Sequence, residues 1–130
     1  MTSAFLEPAI WEFLLAHDLV GADFSARPLT GGVSSDIRLV TSDREALVVK
    51  MALAQLRVSQ EWQAPVSRNA SEVDWLIEAG RIAPDAVPEI VAHDPERGVF
   101  AMSYLAPADH PGWKKELLNV RVDCGFADLV

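Results

Sequence analysis

Two apolar stretches on either side of a polar turn constrain the fold of this chain more than any other feature. The first runs from Leu29 to Val40 and the second from Ala46 to Met51, with the polar segment Thr41 to Arg44 between them. Such a pattern is typical of an antiparallel β-hairpin. The first stretch contains a glycine pair, Gly31–Gly32, and the second carries a lysine, Lys50, near its end.

The glycine pair is a candidate phosphate-binding loop. Because glycine lacks a Cβ, the backbone N–H groups of Gly31–Gly32 can approach a phosphate closely, and Ser34–Ser35 add hydroxyl donors. Lys50 supplies a point charge for the same phosphates, and Glu72 in a helix-like segment is placed to hold it. Each residue alone also fits a plain turn, strand-edge or helix-surface role, and Arg68 has the spacing of an ordinary helical ion pair with Glu72. The ordered set favours a nucleotide-phosphate site.

The apolar periodicity predicts the order helix, three strands, helix, two strands. Phe5 to Val20 and Val66 to Ala79 have a 3.6-residue period, with stops at Gly21 and Gly80. The predicted strands are Phe24–Thr30, Ser34–Val40, Ala46–Met51, Val87–Ala92 and Gly98–Leu105. This order predicts an α+β fold, a five-stranded antiparallel sheet with flanking helices. Another helix is predicted to begin at Trp113 and run to Val120.

Composition excludes several classes of function. The chain has 130 residues, 50% of them hydrophobic, which predicts one globular domain. Its net charge of −8 argues against nucleic-acid binding, which needs clustered Lys and Arg. No apolar run reaches the length of a membrane span, and a single cysteine, Cys124, fits a reducing compartment. We therefore predict a cytoplasmic protein that binds neither nucleic acid nor membrane.

The tryptophans and histidines suggest no further site. Trp11 and Trp75 occupy core-like positions in the predicted helices, so we expect them to be buried. His17, His93 and His110 lack the spacing of metal ligands and are expected on the surface or in loops. No metal site is predicted from these residues.

Taken together, these segments resemble the N-terminal lobe of the aminoglycoside phosphotransferase and choline-kinase-like family, which has a protein-kinase-like fold. Within that family the resemblance is greatest to the methylthioribose-kinase-like branch, and it covers residues 25–125 of the chain. The segments that carry it are Leu29–Ser35, Val48–Lys50, Leu56–Val58, Glu61–Trp62, Arg68–Glu72, Phe100–Leu105 and Trp113–Lys114.

The resemblance implies a role for each matched residue. The residues it implies for ATP binding are Gly31, Gly32, Val33, Ser34, Ser35, Lys50, Met102, Ser103 and Leu105. Lys50 would bind the phosphates and Glu72 would orient it, which makes these two the implied catalytic residues. Met102 would lie behind the adenine, and the backbone of Ser103 and Leu105 would contact the edge of the base.

Two classes of function remain open. In the first, residues 1–106 are the nucleotide-binding lobe of an ATP-dependent phosphotransferase that acts on a hydroxyl of a small polar metabolite or an aminoglycoside. Residues 107–130 would then be a linker and the start of a helical second lobe that holds the Mg²⁺ ligands. The family's His-Gly-Asp catalytic loop is absent from the 130 residues, so we expect them to be inactive alone. In the second, the chain is a non-enzymatic module that binds a nucleotide or self-associates through exposed apolar surface.

Overall fold

One five-stranded antiparallel sheet organises the fold. The computed structural model describes residues 6–30, 34–53 and 65–128. Its elements are α1 (Pro8–Ala16), β1 (Phe24–Pro28), β2 (Ser35–Ser42), β3 (Leu47–Ala52), α2 (Arg68–Ile82), a 3-10 turn (Pro84–Ala86), β4 (Ile90–Asp94), β5 (Val99–Ser103), α3 (Trp113–Leu118) and α4 (Gly125–Asp128). The strand order is β1-β2-β3-β5-β4, with every neighbouring pair antiparallel. The predicted α+β fold is confirmed.

Each face of the sheet carries its own hydrophobic core, because successive side chains of a strand point to opposite faces. The core between α1 and the sheet contains Ile10, Phe13, Leu14, Val20, Phe24, Ala26, Val40, Val49, Val99 and Ala101. On the opposite face, Val73 and Leu76 of α2 pack against Phe100 of β5. The two principal helices therefore pack on opposite faces, and α2 packs on the face that carries Phe100.

Helix α1 ends earlier than predicted. It stops at Ala16, and Asp18 takes a left-handed φ of 51°. The N–H of Leu19 then donates to the carbonyl of Leu14 at 3.0 Å, which closes the helix end. A left-handed residue after the last turn is the usual helix stop, and aspartate adopts this conformation more readily than most residues. The predicted stop at Gly21 is therefore wrong.

Helix α2, in contrast, continues beyond its predicted stop. It passes through Gly80 and ends at Ile82. The N–H of Ala83 still donates to the carbonyl of Ala79 at 2.8 Å. Pro84 follows, and a proline forces the residue before it out of the helical conformation. The prediction of Gly80 as the stop is wrong, because the proline ends this helix.

The sheet also differs from the prediction at the strand ends. β2 continues to Ser42, since Thr41 pairs with Ser25 of β1 and their hydroxyl oxygens lie 2.6 Å apart. β4 begins at Ile90, three residues later than predicted. The residues at these strand ends are polar or precede a proline, so the apolar pattern alone does not show where each strand begins and ends.

Within the described ranges, no helix is long and apolar enough to cross a membrane.

The two tryptophans expected in the core lie on the surface. Trp11 is 39% exposed and Trp75 is 65% exposed. Helical geometry explains Trp75, because a residue two positions after buried Val73 lies about 200° away around the helix. The ring centre of Trp11 lies 5.2 Å from that of Phe24. The prediction of burial is wrong for both.

Candidate functional site

Lys50 and Glu72 form an ion pair that joins β3 to α2. The Nζ of Lys50 donates to Oε1 of Glu72, and the two side chains are 17% and 38% exposed. Lys50 lies between Ile37 of β2 and Phe100 of β5 in the sheet. Its Nζ is 5.8 Å from the centre of the Phe100 ring, within the range of a cation–π contact. The predicted lysine–glutamate contact is thus formed, on the face of the sheet that α2 covers.

The geometry of α2 explains why Glu72 is the partner. Val73 and Leu76 point at the sheet, and Glu72 lies at the edge of that buried stripe, beside Val73. Asp74 is exposed on the far side of the helix. Glu78 instead pairs on the helix surface with an arginine three residues later. Periodicity alone does not select among the three carboxylates, whereas the resemblance pointed to Glu72.

A cavity of about 410 Å³ opens beside the ion pair. Its walls include Ile37, Val48, Lys50, Met102, Ser103 and Leu105. This volume falls in the ordinary range for small-molecule sites, which are mostly apolar with a few polar groups. Four of the sequence-predicted site residues, Lys50, Met102, Ser103 and Leu105, therefore meet in one place.

The cavity also contains residues that the sequence reasoning missed. Tyr104 and Pro88 line it, together with Val48 and Ile37. Val48 was within reach of that reasoning, because it stands two positions before Lys50 and must share its face of the strand. Pro88 precedes β4 and Tyr104 follows β5, so their approach depends on the pairing of those strands. Tyr104 lies within the matched segment Phe100–Leu105, whereas Pro88 has no local signal.

The segment after β5 has the contacts of an extended strand end. The N–H of Ser103 donates to the carbonyl of Glu89 at 2.9 Å, and its Oγ accepts the Glu89 N–H at 3.0 Å. Met102 packs against the α2 core and also lines the cavity, so it forms the wall between them. Leu105 is 42% exposed at the rim. The backbone N–H of Ser103 is therefore used within the sheet, between β5 and the start of β4.

The predicted glycine loop is described only in part. Residues 31–33 lie outside the described residues, as do residues 56–62, which also carried the resemblance. Ser35 is 6% exposed and pairs with Ala52 of β3. The carbonyl of Ser34 accepts the N–H of Leu53 at 3.0 Å. Both serines thus stand at the end of the β2–β3 ladder, and neither side chain lines the cavity.

Arg68, the first residue of α2, binds backbone carbonyls of three separate segments. Its guanidinium donates to the carbonyl of Pro65 at 2.6 Å, to that of Leu53 at 2.7 Å, and to that of Ser34. Glu72, which lies one turn after Arg68, binds the β3 lysine. Arg68 therefore connects the beginning of α2 to the ends of two strands.

A second cavity, of about 380 Å³, lies at the other end of α2. It is bordered by Leu76, Gly80, Val87 and Ile90, with the carboxylate of Glu89 as its charged group. An acidic group repels phosphate, so this cavity does not suit an anionic ligand. The cation Lys50 lines the first cavity, together with Met102, Ser103 and Leu105 of the sequence-predicted residues.

One electrostatic effect lies away from both cavities, in the β4–β5 turn. The Arg97 guanidinium donates to the Asp94 carboxylate at 2.6 Å, and the backbone N–H of Arg97 donates to the same carboxylate at 3.1 Å. These hydrogen bonds hold the pKa of Asp94 below its ordinary value. Arg97 also contacts Glu12 of α1 at 3.2 Å. The turn is thereby tied to α1, which is a structural role.

The histidines show no metal site. His93 lies in β4 and is half-buried, with its ring edge-on to Phe100 at 6.5 Å between centres. It was expected on the surface or in a loop, and that expectation is wrong because the strand continues to Asp94. Across the described ranges, no group of three or more His, Cys, Asp or Glu is placed to hold a metal ion.

The sheet, the helix across one face and the lysine–glutamate pair are consistent with the N-terminal lobe of a protein-kinase-like fold.

Comparison with known proteins supports the same class. Over 83 residues the chain is 35% identical to a methylthioribose kinase of Escherichia coli O45:K1 (strain S88), a match that covers 62% of this chain and 19% of that protein. The chain thus spans only a fraction of the length of this curated relative. No known family profile matches the chain. The match supports a kinase-like relationship.

Proposed function

We propose that this chain supplies the nucleotide-binding lobe of an ATP-dependent phosphotransferase whose acceptor is a hydroxyl of a small polar metabolite or an aminoglycoside. The observation that carries the proposal is the Lys50–Glu72 ion pair at the wall of an apolar cavity of about 410 Å³. The partial match to a methylthioribose kinase supports a small-molecule acceptor.

Lys50 would act on the phosphates of ATP. Its ammonium group is held by Glu72, so its position is set before a nucleotide arrives. A fixed cation stabilises the charge on the transferred phosphoryl group without any proton transfer, and this is the main task of a phosphotransferase. The two residues would thus supply one part of the electrostatic stabilisation of the reaction.

The adenine would occupy the apolar part of the same cavity. Val48 and Ile37 come from the sheet, and Met102 closes the wall toward α2. Flat apolar walls suit an aromatic base, and backbone groups at Ser103 and Leu105 would contact its edge. Base and phosphates would then lie along β3, with the phosphates at the Lys50 end.

The remaining parts of the reaction would come from elsewhere in the whole protein. ATP is normally used as its Mg²⁺ complex, and the metal neutralises charge on the phosphates. Among the described residues no group of three or more His, Cys, Asp or Glu is placed to hold a metal ion. Following the resemblance, we assign the Mg²⁺ ligands and the catalytic base to a second lobe. We expect the 130 residues alone to bind nucleotide weakly and to show no turnover, because half of the binding cleft would be missing.

The test is isothermal titration of the chain with Mg·ATP and with adenosine, using wild type and Lys50→Met. Methionine keeps much of the apolar stem of lysine and removes its charge. Charge-assisted hydrogen bonds contribute about 1.5–3 kcal/mol, so ATP affinity should fall about tenfold or more. Adenosine affinity should change less than about twofold, because adenosine carries no phosphate.

The matched control is Lys114→Met, at an exposed lysine of α3 away from the cavity. It should leave both affinities unchanged. ATP binding that is equally tight in wild type and Lys50→Met would show that the phosphate site is wrongly placed. Absence of ATP binding in the wild type, at millimolar nucleotide, would contradict the proposal for this chain.

A second candidate function is a non-enzymatic, self-associating module. It is favoured by large apolar side chains that are exposed on α2 and α3: Trp75, Ile77, Ile82, Trp113, Leu117 and Leu118. Sedimentation equilibrium over a hundredfold range of concentration distinguishes the two. A stable dimer without nucleotide binding would support the module, and a monomer that binds ATP would support the kinase lobe.

A further inference from the structure

The second cavity, of about 380 Å³, lies where the end of α2 meets the chain that enters β4. Leu76, Val87 and Ile90 line it, and all three belong to the apolar cluster between α2 and the sheet. Its volume falls in the ordinary range for small-molecule sites, where apolar walls surround a few polar groups. Pro88 lines both cavities, but Lys50 lines only the first, so the second is a separate space with its own chemistry.

Gly80 leaves part of this cavity unfilled. It lies in the last turn of α2, and within a helix glycine is less favourable than alanine. The φ of Gly80 is not left-handed, and a Cβ there would meet only Cγ2 of Val87, at 3.6 Å. Since that distance is an ordinary van der Waals contact, the fold does not require a glycine here. The missing side chain therefore costs helix stability and leaves room for a ligand.

Two hydrogen-bond acceptors border the apolar walls. The backbone of Glu89 is held by Ser103, and within the described part of the chain its exposed carboxylate makes no ion pair. The second acceptor is the carbonyl of Gly80. In a longer helix it would accept the N–H of residue 84, but Pro84 has no N–H to donate. The C-terminal end of a helix also carries partial negative charge, so both groups favour a cation.

We propose that the second cavity binds a small organic cation, an ammonium group on a compact apolar body. An ammonium has N–H donors and no acceptor, which matches a carboxylate and a carbonyl at one wall. The apolar body would pack against Leu76, Val87 and Ile90 and fill the space beside Gly80. The net charge of −8 also favours a cation over an anion. This site does not depend on the proposed nucleotide site.

The test titrates the chain with three ligands that share one ring and one linker, and follows its amide NMR signals. Phenethylamine is charged at about pH 7, phenethyl alcohol is neutral and hydrocinnamate is an anion. The amine should bind with a Kd in the millimolar range usual for so small a ligand, and should shift the amides of Gly80, Val87, Glu89 and Ile90. An ion pair with an exposed carboxylate is weak, so the alcohol should bind about threefold more weakly. Hydrocinnamate should bind more weakly still. Equal affinities, or shifts that spare these amides, would overturn the proposal.

Glu89→Gln tests the charge, because glutamine keeps the shape of the side chain. Amine affinity should fall to that of the alcohol, and alcohol affinity should stay as in wild type. The matched control is Glu96→Gln, at an exposed carboxylate of the β4–β5 turn that does not line the cavity. It should change neither affinity. An equal loss of amine binding in both variants would reveal a general effect of net charge and would also overturn the site.

Gly80 tests the cavity itself. Gly80→Leu should fill it and weaken amine and alcohol alike, by about fivefold or more. Gly80→Ala adds one methyl group at contact distance from Val87 and should raise the Tm by about 2–4 °C, because the helix loses its glycine. A Tm below that of wild type would contradict the argument from Gly80, and undiminished binding in a folded Gly80→Leu protein would place the ligand elsewhere. Should Gly80→Leu not fold, the comparison of Glu89→Gln with Glu96→Gln decides the proposal.

Discussion

Gly98→Ala should destabilise the fold at the contact between the sheet and the start of α2. Gly98 has a left-handed φ of 65°, and a Cβ there would lie 2.5 Å from Cγ1 of Val66. A residue with a Cβ pays about 1–2 kcal/mol for the left-handed conformation. Overpacking against a stiff β-branched side chain adds about 1–3 kcal/mol. The free energy of unfolding should therefore fall by about 2–5 kcal/mol, a large share of the stability of a small domain.

The two costs can be separated by urea unfolding of Gly98→Ala, Val66→Ala and the double variant. Val66→Ala removes the atom that clashes but not the backbone strain. In the double variant the overpacking cost should disappear, which gives a favourable interaction energy of about 1–3 kcal/mol between the two sites. A Gly98→Ala protein within about 0.5 kcal/mol of wild type, or strictly additive effects, would refute the argument.

Three further predictions concern single side chains. Glu72→Gln should cost under about 1 kcal/mol of stability, because Glu72 is 38% exposed, yet titration should show a several-fold loss of ATP affinity. Asp94 has a lowered pKa beside Arg97, so its contribution to stability is complete above about pH 4 and is lost as the pH falls further; Asp94→Asn should flatten that acid limb in denaturant titrations. Phe13→Ala should cost about 3–5 kcal/mol in urea unfolding, whereas exposed Trp75→Ala should stay within about 0.5 kcal/mol of wild type. A constant acid limb, or equal costs for the two aromatic variants, would contradict the reasoning.

Most of the sheet could be predicted from the sequence, because a strand and the turn that follows it are encoded by neighbouring residues. The positions of helix ends were harder to predict. Both predicted glycine stops were wrong, since Asp18 ends α1 and Pro84 ends α2. A glycine permits a helix to end but does not require it to do so, and its conformation depends on the packing around it. Trp75 is expected in the core because it is hydrophobic, but its angle around α2 places it on the exposed side of the helix.

The candidate site could be predicted for residues whose side-chain type and position in the sequence match a known functional pattern. Lys50 and Glu72 come together as the resemblance implied, and Met102 lines the same cavity. Arg68 and Tyr104 could not be assigned in this way. Their partners are set by which strand ends and loops adjoin in space, and the carbonyls that Arg68 binds have no side-chain signature.

The strand pattern itself determines which helix can hold the lysine. Val49 is fully buried beneath α1, so side-chain alternation places Lys50 on the opposite face, under α2. A slip of one residue would bury the lysine in the α1 core, away from Glu72, and expose Val49 to the cavity. The carboxylate on α1, Glu12, is exposed and directed to the β4–β5 turn, so it offers no substitute. The ion pair and the hydrophobic pattern thus favour the same register, and a change that breaks either should loosen both the sheet and the proposed phosphate site.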